Sequence, residues 1–457
     1  MVNIIIVGAG QVGTTLAEHL TAEDNDITII DINAKCLNTL QERLDIRTII
    51  GNGSYPNILL KAGAEVANML IAVTNSDEIN MLACQIAHSL FKIETKIARI
   101  RALQYLTYPK LFESNAIPID VLISPEQLVT THIRRLIEYP DALQVLDFAN
   151  SKAQLVVILT QSGASCVGHS LEFFFERITP IQCYIPVIFR DEKPFFPALD
   201  FIIEANDEIF FLSEPAHIRI IISEFRTLAP LNKRVMIAGG GNIGSRVAES
   251  LDTHFKVKII EKDSSRVEFL ATILSNSVVL MGDAADKDLL LNENIENMDV
   301  FCATTNHDET NIMSALLAKR LGAHRVMALI NRNAYVDIIE GGPIDRIISP
   351  QQTTIGGLLA HIRGGDIENI YTLHKGEIEI IEFIINAETE NTKILSCTLH
   401  ELPLPANTVI TGIIRNNEVL FPNNTLALMR HDRVILIILD KRRINELERL
   451  FQTEFKI

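Results

Sequence analysis

Ile4-Ile5-Ile6-Val7-Gly8-Ala9-Gly10-Gln11-Val12-Gly13 decides how the chain is read, because an apolar run stops abruptly in glycines spaced G-x-G-x-x-G. This is the signature of a buried strand turning into a helix. Gly8 permits the tight turn, Gly10 carries no side chain to hold a pyrophosphate off the backbone, and Gly13 lets helix and strand pack closely. A phosphate would sit on the helix N-terminus, where unpaired N–H groups and the helix dipole both favour negative charge. Asp31 ends the next apolar run, Ile27-Thr28-Ile29-Ile30, and lies 23 residues after Gly8. That is where a carboxylate takes a ribose hydroxyl pair in a dinucleotide fold.

The pattern returns. Val235-Met236-Ile237-Ala238 leads into Gly239-Gly240-Gly241-Asn242-Ile243-Gly244, and Glu261 closes the run Val257-Lys258-Ile259-Ile260. Val12, Leu16 and Leu20 form a helical apolar stripe that Ile243, Val247 and Leu251 repeat. Later strands correspond as well: Met69 to Thr74 with Val300 to Thr305, Ile97 to Ile100 with Val326 to Ile330, and Pro118 to Pro125 with Pro343 to Pro350. Strands alternating with helices predict a parallel sheet with crossover helices in each copy. After each Ser-Pro and its helix, at 126–137 and 351–362, the chain becomes β-rich. Leu155 to Leu159, Cys183 to Phe189 and Glu208 to Leu212 alternate with turn chemistry, and Val409 to Ile414 and Asp432 to Leu436 repeat the later runs. Asp207 and Asp432, like Pro197 and Pro422, read as turn residues capping strands.

The predicted fold is therefore α/β, with two tandem Rossmann-like parallel-sheet N-lobes, each followed by a small β-rich α+β C-lobe. Boundaries fall at 1–124, 143–227, 232–349 and 368–453, with a linker near Leu228 to Lys233.

Composition narrows the function. The 41 Lys plus Arg against 57 Asp plus Glu give a net charge of −16, which argues against binding nucleic acid. Arg134-Arg135 and Lys441-Arg442-Arg443 read as solvated helix faces. Six dispersed cysteines at 36, 84, 166, 183, 302 and 397 suggest reduced thiols used as small apolar groups. The chain starts directly in a core strand, so no signal peptide is expected. Apolar runs such as Val434 to Leu439 fall far short of the roughly 20 residues needed to span a bilayer, so any membrane role is peripheral.

Thr74-Asn75 and Thr305-Asn306 follow the fourth strand of each copy, where Asn75 and Asn306 read as N-caps with a Glu three residues on, and also border the ligand crevice. Arg99 ends the fifth strand, where its planar fork could meet a diphosphate, whereas Leu329 holds that place in the second copy. Asn52 against Asp283 is a further asymmetry. His19, His88, His132 and His169 stand singly, no acid or base suited to hydride chemistry stands out, and G-x-x-x-x-G-K-[ST] is absent.

These residues, together with Gly51-Asn52-Gly53-Ser54, Ala72 to Met81, Ile119 to Leu128, Leu136 to Pro140 and Gly239 to Gly244, closely resemble the family of cytosolic regulatory subunits of bacterial Trk potassium uptake systems. The likeness runs from Met1 to about Phe451. Its members are built of RCK (KTN) modules, each a Rossmann-like N-lobe and a β-rich C-lobe. The resemblance implies a peripheral ring, commonly a tetramer, on the cytoplasmic face of the inner membrane, seated on a potassium-conducting subunit of the TrkH or TrkG type. NAD(H) and ATP or ADP are the implied regulatory ligands, with no catalytic or metal residues. Site one would comprise Gly8, Ala9, Gly10, Gln11, Val12, Gly13, Asp31, Thr74, Asn75 and Arg99, and site two Gly239, Gly240, Gly241, Asn242, Ile243, Gly244 and Glu261. Two other readings stay open on the motifs: an NAD-dependent oxidoreductase, and a nucleotide sensor for a partner unrelated to potassium.

Overall fold

A computed structural model describes the chain except for residues 1, 22–24, 113–115, 229–232, 340, 363–366, 375–377, 386–393, 396–397, 424, 441–442 and 452–457. Most of the linker expected near Leu228 to Lys233 lies outside the described residues, as do Cys397, Lys441, Arg442 and the end of the 368–453 lobe.

The first unit runs β1 (Asn3–Val7), α1 (Gln11–Thr21), β2 (Asp26–Asp31), α2 (Ala34–Gln41), β3 (Arg47–Ile50), α3 (Pro56–Lys61), β4 (Met69–Ala72), α4 (Asp77–Ile86), β5 (Thr95–Arg99), α5 (Leu103–Leu106), β6 (Val121–Ile123) and α6 (Pro125–Glu138). Its six parallel strands take the order β3-β2-β1-β4-β5-β6. Strand order reverses beside β1, which opens a crevice at the carboxyl ends of β1 and β4. A five-stranded antiparallel sheet follows, from β7 (Gln144–Phe148), β8 (Ala153–Leu159), β9 (Cys183–Arg190), β10 (Lys193–Phe195) and β11 (Glu208–Ser213), with α7 (Leu171–Ile178) and α8 (Ile218–Phe225) on its outer face.

The second half repeats this plan. Strands β12 (Arg234–Ala238), β13 (Lys256–Glu261), β14 (Val278–Met281), β15 (Val300–Ala303), β16 (Arg325–Leu329) and β17 (Arg346–Ile348) alternate with α9 (Asn242–Leu251), α10 (Ser264–Ile273), α11 (Lys287–Asn292), α12 (Asp308–Arg320), α13 (Asn333–Ile339) and α14 (Pro350–Ile362). They form a parallel sheet of order β14-β13-β12-β15-β16-β17. The second antiparallel sheet comprises β18 (Ile367–Leu373), β19 (Ile378–Ile384), β20 (Thr408–Arg415), β21 (Glu418–Leu420) and β22 (Arg433–Ile438), and the helix Ile444–Phe451 packs on it.

The two halves interlock. Val129, Ile133, Leu136 and Ile137 of α6 are spaced for one helical face, and that face is buried against Val235, Ile237, Val247 and Leu251 of the second parallel unit. In return, Ile355, Leu358 and Ile362 of α14 pack on Ile4, Leu16, Leu20 and Ile27 of the first. Each fully buried aliphatic side chain contributes about 1.5–3 kcal/mol, so each exchanged helix stabilises one face of the other half's parallel sheet. The antiparallel sheets share a core too: Phe148, Leu155, Phe210 and Leu212 meet Ile380, Ile414, Ile435 and Ile437. Tyr371 Oη donates to the carbonyl of Asp147 at 2.9 Å, and Ala149 N donates to Glu382 Oε1 at 3.0 Å across this seam.

Several expectations need correction. Arg135 does not lie on a solvated face: its guanidinium grips Asp147 through two bonds of 2.8 and 2.9 Å and also reaches Glu138, so it anchors α6 to β7. Asp207 and Asp432 do hold turns, accepting from Glu204 N and Met429 N. They are also completely buried and take bidentate bonds from Arg190 and Arg415 at 2.7–2.8 Å. Of the described cysteines, 84, 166, 183 and 302 are buried, but Cys36 is exposed.

Candidate functional site: two glycine cradles

In the first cradle, Gly8 has φ +110° and lies against Thr74: a Cβ there would approach Thr74 N to 3.0 Å. At Gly13 a Cβ would fall 1.9 Å from the Gly8 carbonyl oxygen, so helix and strand close only around glycine. Gly10 differs. A Cβ added there meets nothing within 4 Å, and the position faces open space beside the first turn of α1, whose amides have no intrahelical acceptor. Gln11 is exposed and Val12 half-buried in that same turn. Asp31 braces the turn, accepting from Ala9 N at 2.6 Å and Asn33 N at 2.8 Å.

The second cradle repeats this geometry with changes. Gly239 has φ +100°, a Cβ on Gly244 would lie 1.9 Å from Gly239 O, and Gly241 is open. Glu261 accepts from Gly240 N at 2.7 Å, Lys262 N at 2.7 Å and Asp263 N at 3.0 Å. Asn242 and Ile243 begin α9, Asn242 exposed and Ile243 half-buried.

The β4–α4 loop departs from expectation. Ser76, not Asn75, is the N-cap of α4 and accepts from Ile79 N at 3.2 Å; His307 occupies the cap of α12, in place of Asn306, and makes no side-chain cap bond. The residue that organises each loop is Asn80 or Asn311. Asn80 is fully buried: its Oδ1 accepts from Thr74 N at 3.0 Å and Thr74 Oγ1 at 2.7 Å, and its Nδ2 donates to the carbonyls of Thr74 and Arg99. Asn311 makes the same four bonds with Thr305 and Leu329. Asp77 and Asp308 hold the next loop, accepting from the amides of Arg101 and Ala102 and of Asn331 and Arg332.

Arg99 sits at the end of β5 with its side chain only 15% exposed. Glu126 approaches it at 3.7 Å, beyond hydrogen-bond range, and Arg99 Nε and Glu126 Oε2 are buried with no hydrogen-bond partner among the described residues. Burial holds the guanidinium below its ordinary value, with Glu126 opposing. A buried cation with an unused donor matches the anionic group that a nucleotide would bring. At the corresponding place Leu329 is buried and apolar.

Asn52 closes a local turn, accepting from Ser54 N at 2.9 Å and Ser54 Oγ at 2.8 Å. Asp283, its counterpart, pairs with Lys262 at 2.8 Å, and that bond holds its carboxyl below the usual range. Arg266 escaped the sequence reading. Its Nε donates to Gly240 O at 2.7 Å and its Nη2 to Ser245 Oγ at 3.2 Å, while the guanidinium covers Phe269. Exposed Cys36 stands at the matching point of the first half. The structure also brings Asn75 and Asn242 together, from opposite halves, in a cavity of about 520 Å³ lined by Asp77, Arg101, Arg246 and Arg266. Among the described residues no group of three His, Cys, Asp or Glu side chains is placed to hold a metal ion.

Comparison with known proteins agrees with this architecture. The TrkA-N domain family matches residues 4–125 and 235–350, one copy per parallel sheet. The solved GsuK RCK domain is 17% identical and aligns with a TM-score of 0.62 over 98% of this chain and 95% of its own. The GsuK channel bound to NAD, 18% identical, aligns at 0.61 over 98% and 79%. The fold is that of RCK domains in tandem, with one glycine cradle in each half. A Trk system potassium uptake protein TrkA from Halomonas elongata is 51% identical over 449 residues, covering 98% of both chains. The chain belongs to the TrkA family of the Trk potassium uptake system.

Proposed function

We propose that the chain is a nucleotide-sensing regulatory subunit that gates a Trk-type potassium uptake channel, taking NAD(H) and ATP or ADP as regulatory ligands. The observation that carries the reading is the contrast within each glycine turn, which is closed by backbone at Gly8, Gly13, Gly239 and Gly244 but open at Gly10 and Gly241. A diphosphate on the first turn of α1 would be held by the amides of Gly10, Gln11 and Val12, with Arg99 as cation and Asp31 on the ribose beside Thr74 and Asn75. On α9 the amides of Gly241, Asn242 and Ile243 and the Glu261 carboxylate would serve, without a counterpart of Arg99. The two sites should therefore differ in ligand or affinity.

The Rossmann units 1–124 and 232–349 are the sensing lobes in this reading, and 143–227 and 368–453 the lobes that join them. Sensing without turnover needs only that a nucleotide bind two shapes of the protein unequally, since equal affinity shifts no population. The family and the GsuK channels of the same fold support a potassium-conducting membrane partner. We take it to be of the TrkH or TrkG type, met by a tetrameric ring on the cytoplasmic face. Among the described residues no helix is long and apolar enough to cross a membrane. The test is co-purification from detergent-treated membranes with a multi-spanning potassium pore, followed by potassium flux in vesicles with and without NADH, ADP and ATP. Flux that ignores all three nucleotides would reject this function.

A further inference from the structure

Ser124 has the extended backbone of an N-cap at the start of α6, yet its side chain caps nothing. Its Oγ accepts instead from Arg246 Nη1 at 3.2 Å, across the boundary between the halves. Arg246 Nη2 donates to the Arg101 carbonyl at 2.8 Å. Arg246 is 8% exposed, and among the described residues no carboxylate lies within ion-pair range of it. It sits on α9, one turn beyond Asn242, in the helix whose N-terminus forms the second cradle.

Both acceptors border the first site. Arg101 is two residues beyond Arg99, in a loop pinned by Asp77, and Ser124 is two residues before Glu126. Where Arg246 stands in the second half, the first has Thr15, whose hydroxyl meets Gln351. The junction is thus one-sided: a guanidinium fork reaches from the helix of cradle two to the segments beside site one, and a short hydroxyl answers in the other direction.

We propose that Arg246 couples the two nucleotide sites. An anion that engages Arg99 removes the partial counter-charge of Glu126, displaces the start of α6 and the 99–101 segment, and moves both acceptors of Arg246, shifting α9 and the phosphate cradle at its N-terminus. Arg246 acts here through Ser124 and the Arg101 carbonyl, so its role is that of a positioning residue. The inference rests on the nucleotide-binding reading given above.

ADP titration of the full chain by calorimetry separates the two. Gly10→Val closes site one and Gly241→Val closes site two, which assigns each binding event. The expected result is that filling site one changes the affinity of site two at least fivefold, and that Arg246→Ala and Arg246→Lys reduce this to under twofold while each site alone keeps its affinity. Two binding events whose mutual effect is the same with and without Arg246 would overturn the coupling and leave the nucleotide reading standing; no binding at either site would overturn both. Hydrogen exchange on the Gly241→Val chain, with Arg246 intact, gives a check independent of the Arg246 variants. ADP at site one must alter exchange at amides 242–247, and unchanged exchange there contradicts the inference.

Discussion

The side-chain amide of Asn80 donates to the carbonyl of Arg99 at 2.8 Å, tying the loop after β4 to the end of β5. The same bond joins Asn311 to Leu329 at 2.8 Å, although arginine has been exchanged for leucine. The tie therefore serves the backbone of both cradles, whatever side chain follows. Asn80→Ala leaves the Thr74 amide and two carbonyls without their side-chain partner and should cost about 2–4 kcal/mol in urea unfolding, with Asn311→Ala similar. A loss below about 1 kcal/mol would show that water replaces the amide.

The glycines divide into two classes. Gly13→Ala and Gly244→Ala place a methyl 1.9 Å from a carbonyl oxygen and should destabilise folding by about 3 kcal/mol or more. Gly10→Val and Gly241→Val project into open space and should leave unfolding within about 0.5 kcal/mol of the parent while each removes binding at its own site. Thermal unfolding with and without ADP distinguishes the two effects.

Arg99→Leu gives site one the apolar residue of site two. Combined with Glu126→Gln, to avoid stranding a buried carboxylate, and with each site measured alone by closing the other through Gly241→Val or Gly10→Val, it should weaken diphosphate binding at site one by roughly tenfold or more, about 1.4 kcal/mol, without altering site two. Equal weakening at both sites would contradict the assignment of Arg99.

His132 on α6 is partly open to solvent, yet burial pushes its imidazole down to about 4 from an ordinary 6.5. The unfolded chain takes up the proton first as pH falls. The stability this group contributes is thus present above pH 6.5 and lost toward pH 4, by at most about 3 kcal/mol. His132→Gln should shrink the loss of stability between pH 7.5 and 4.5, read from urea midpoints at each pH.

Much of this architecture could be read from the chain because each local signal occurs twice. The stripe Val12, Leu16, Leu20 and its copy mark amphipathic helices, and the glycine turns mark where strands feed them. The exchange of α6 and α14 was not legible: the apolar spacing of Val129, Ile133 and Leu136 declares a buried face but carries no label for the sheet that buries it. The cap at Ser76 was missed by one position because Asn75 and Ser76 are both good caps, and only the backbone conformation chooses. Asn80 and Arg190 carry no local signature. Their copies at Asn311 and Arg415, in step with the repeat, were the signal available for both. Arg246 has no copy, since Thr15 stands in its place, and so only the packing of the two halves exposes it.

On the proposed function, each half holds a nucleotide and does not transform it. The most direct measurement is calorimetric titration of the full chain with NADH and then ADP, with NADH absorbance followed over hours in the same samples. Two saturable binding events, each removed by its own glycine variant, with constant absorbance, is the expected result. Steady loss of NADH absorbance, or no heat of binding with any of NADH, NAD, ADP and ATP, would contradict it.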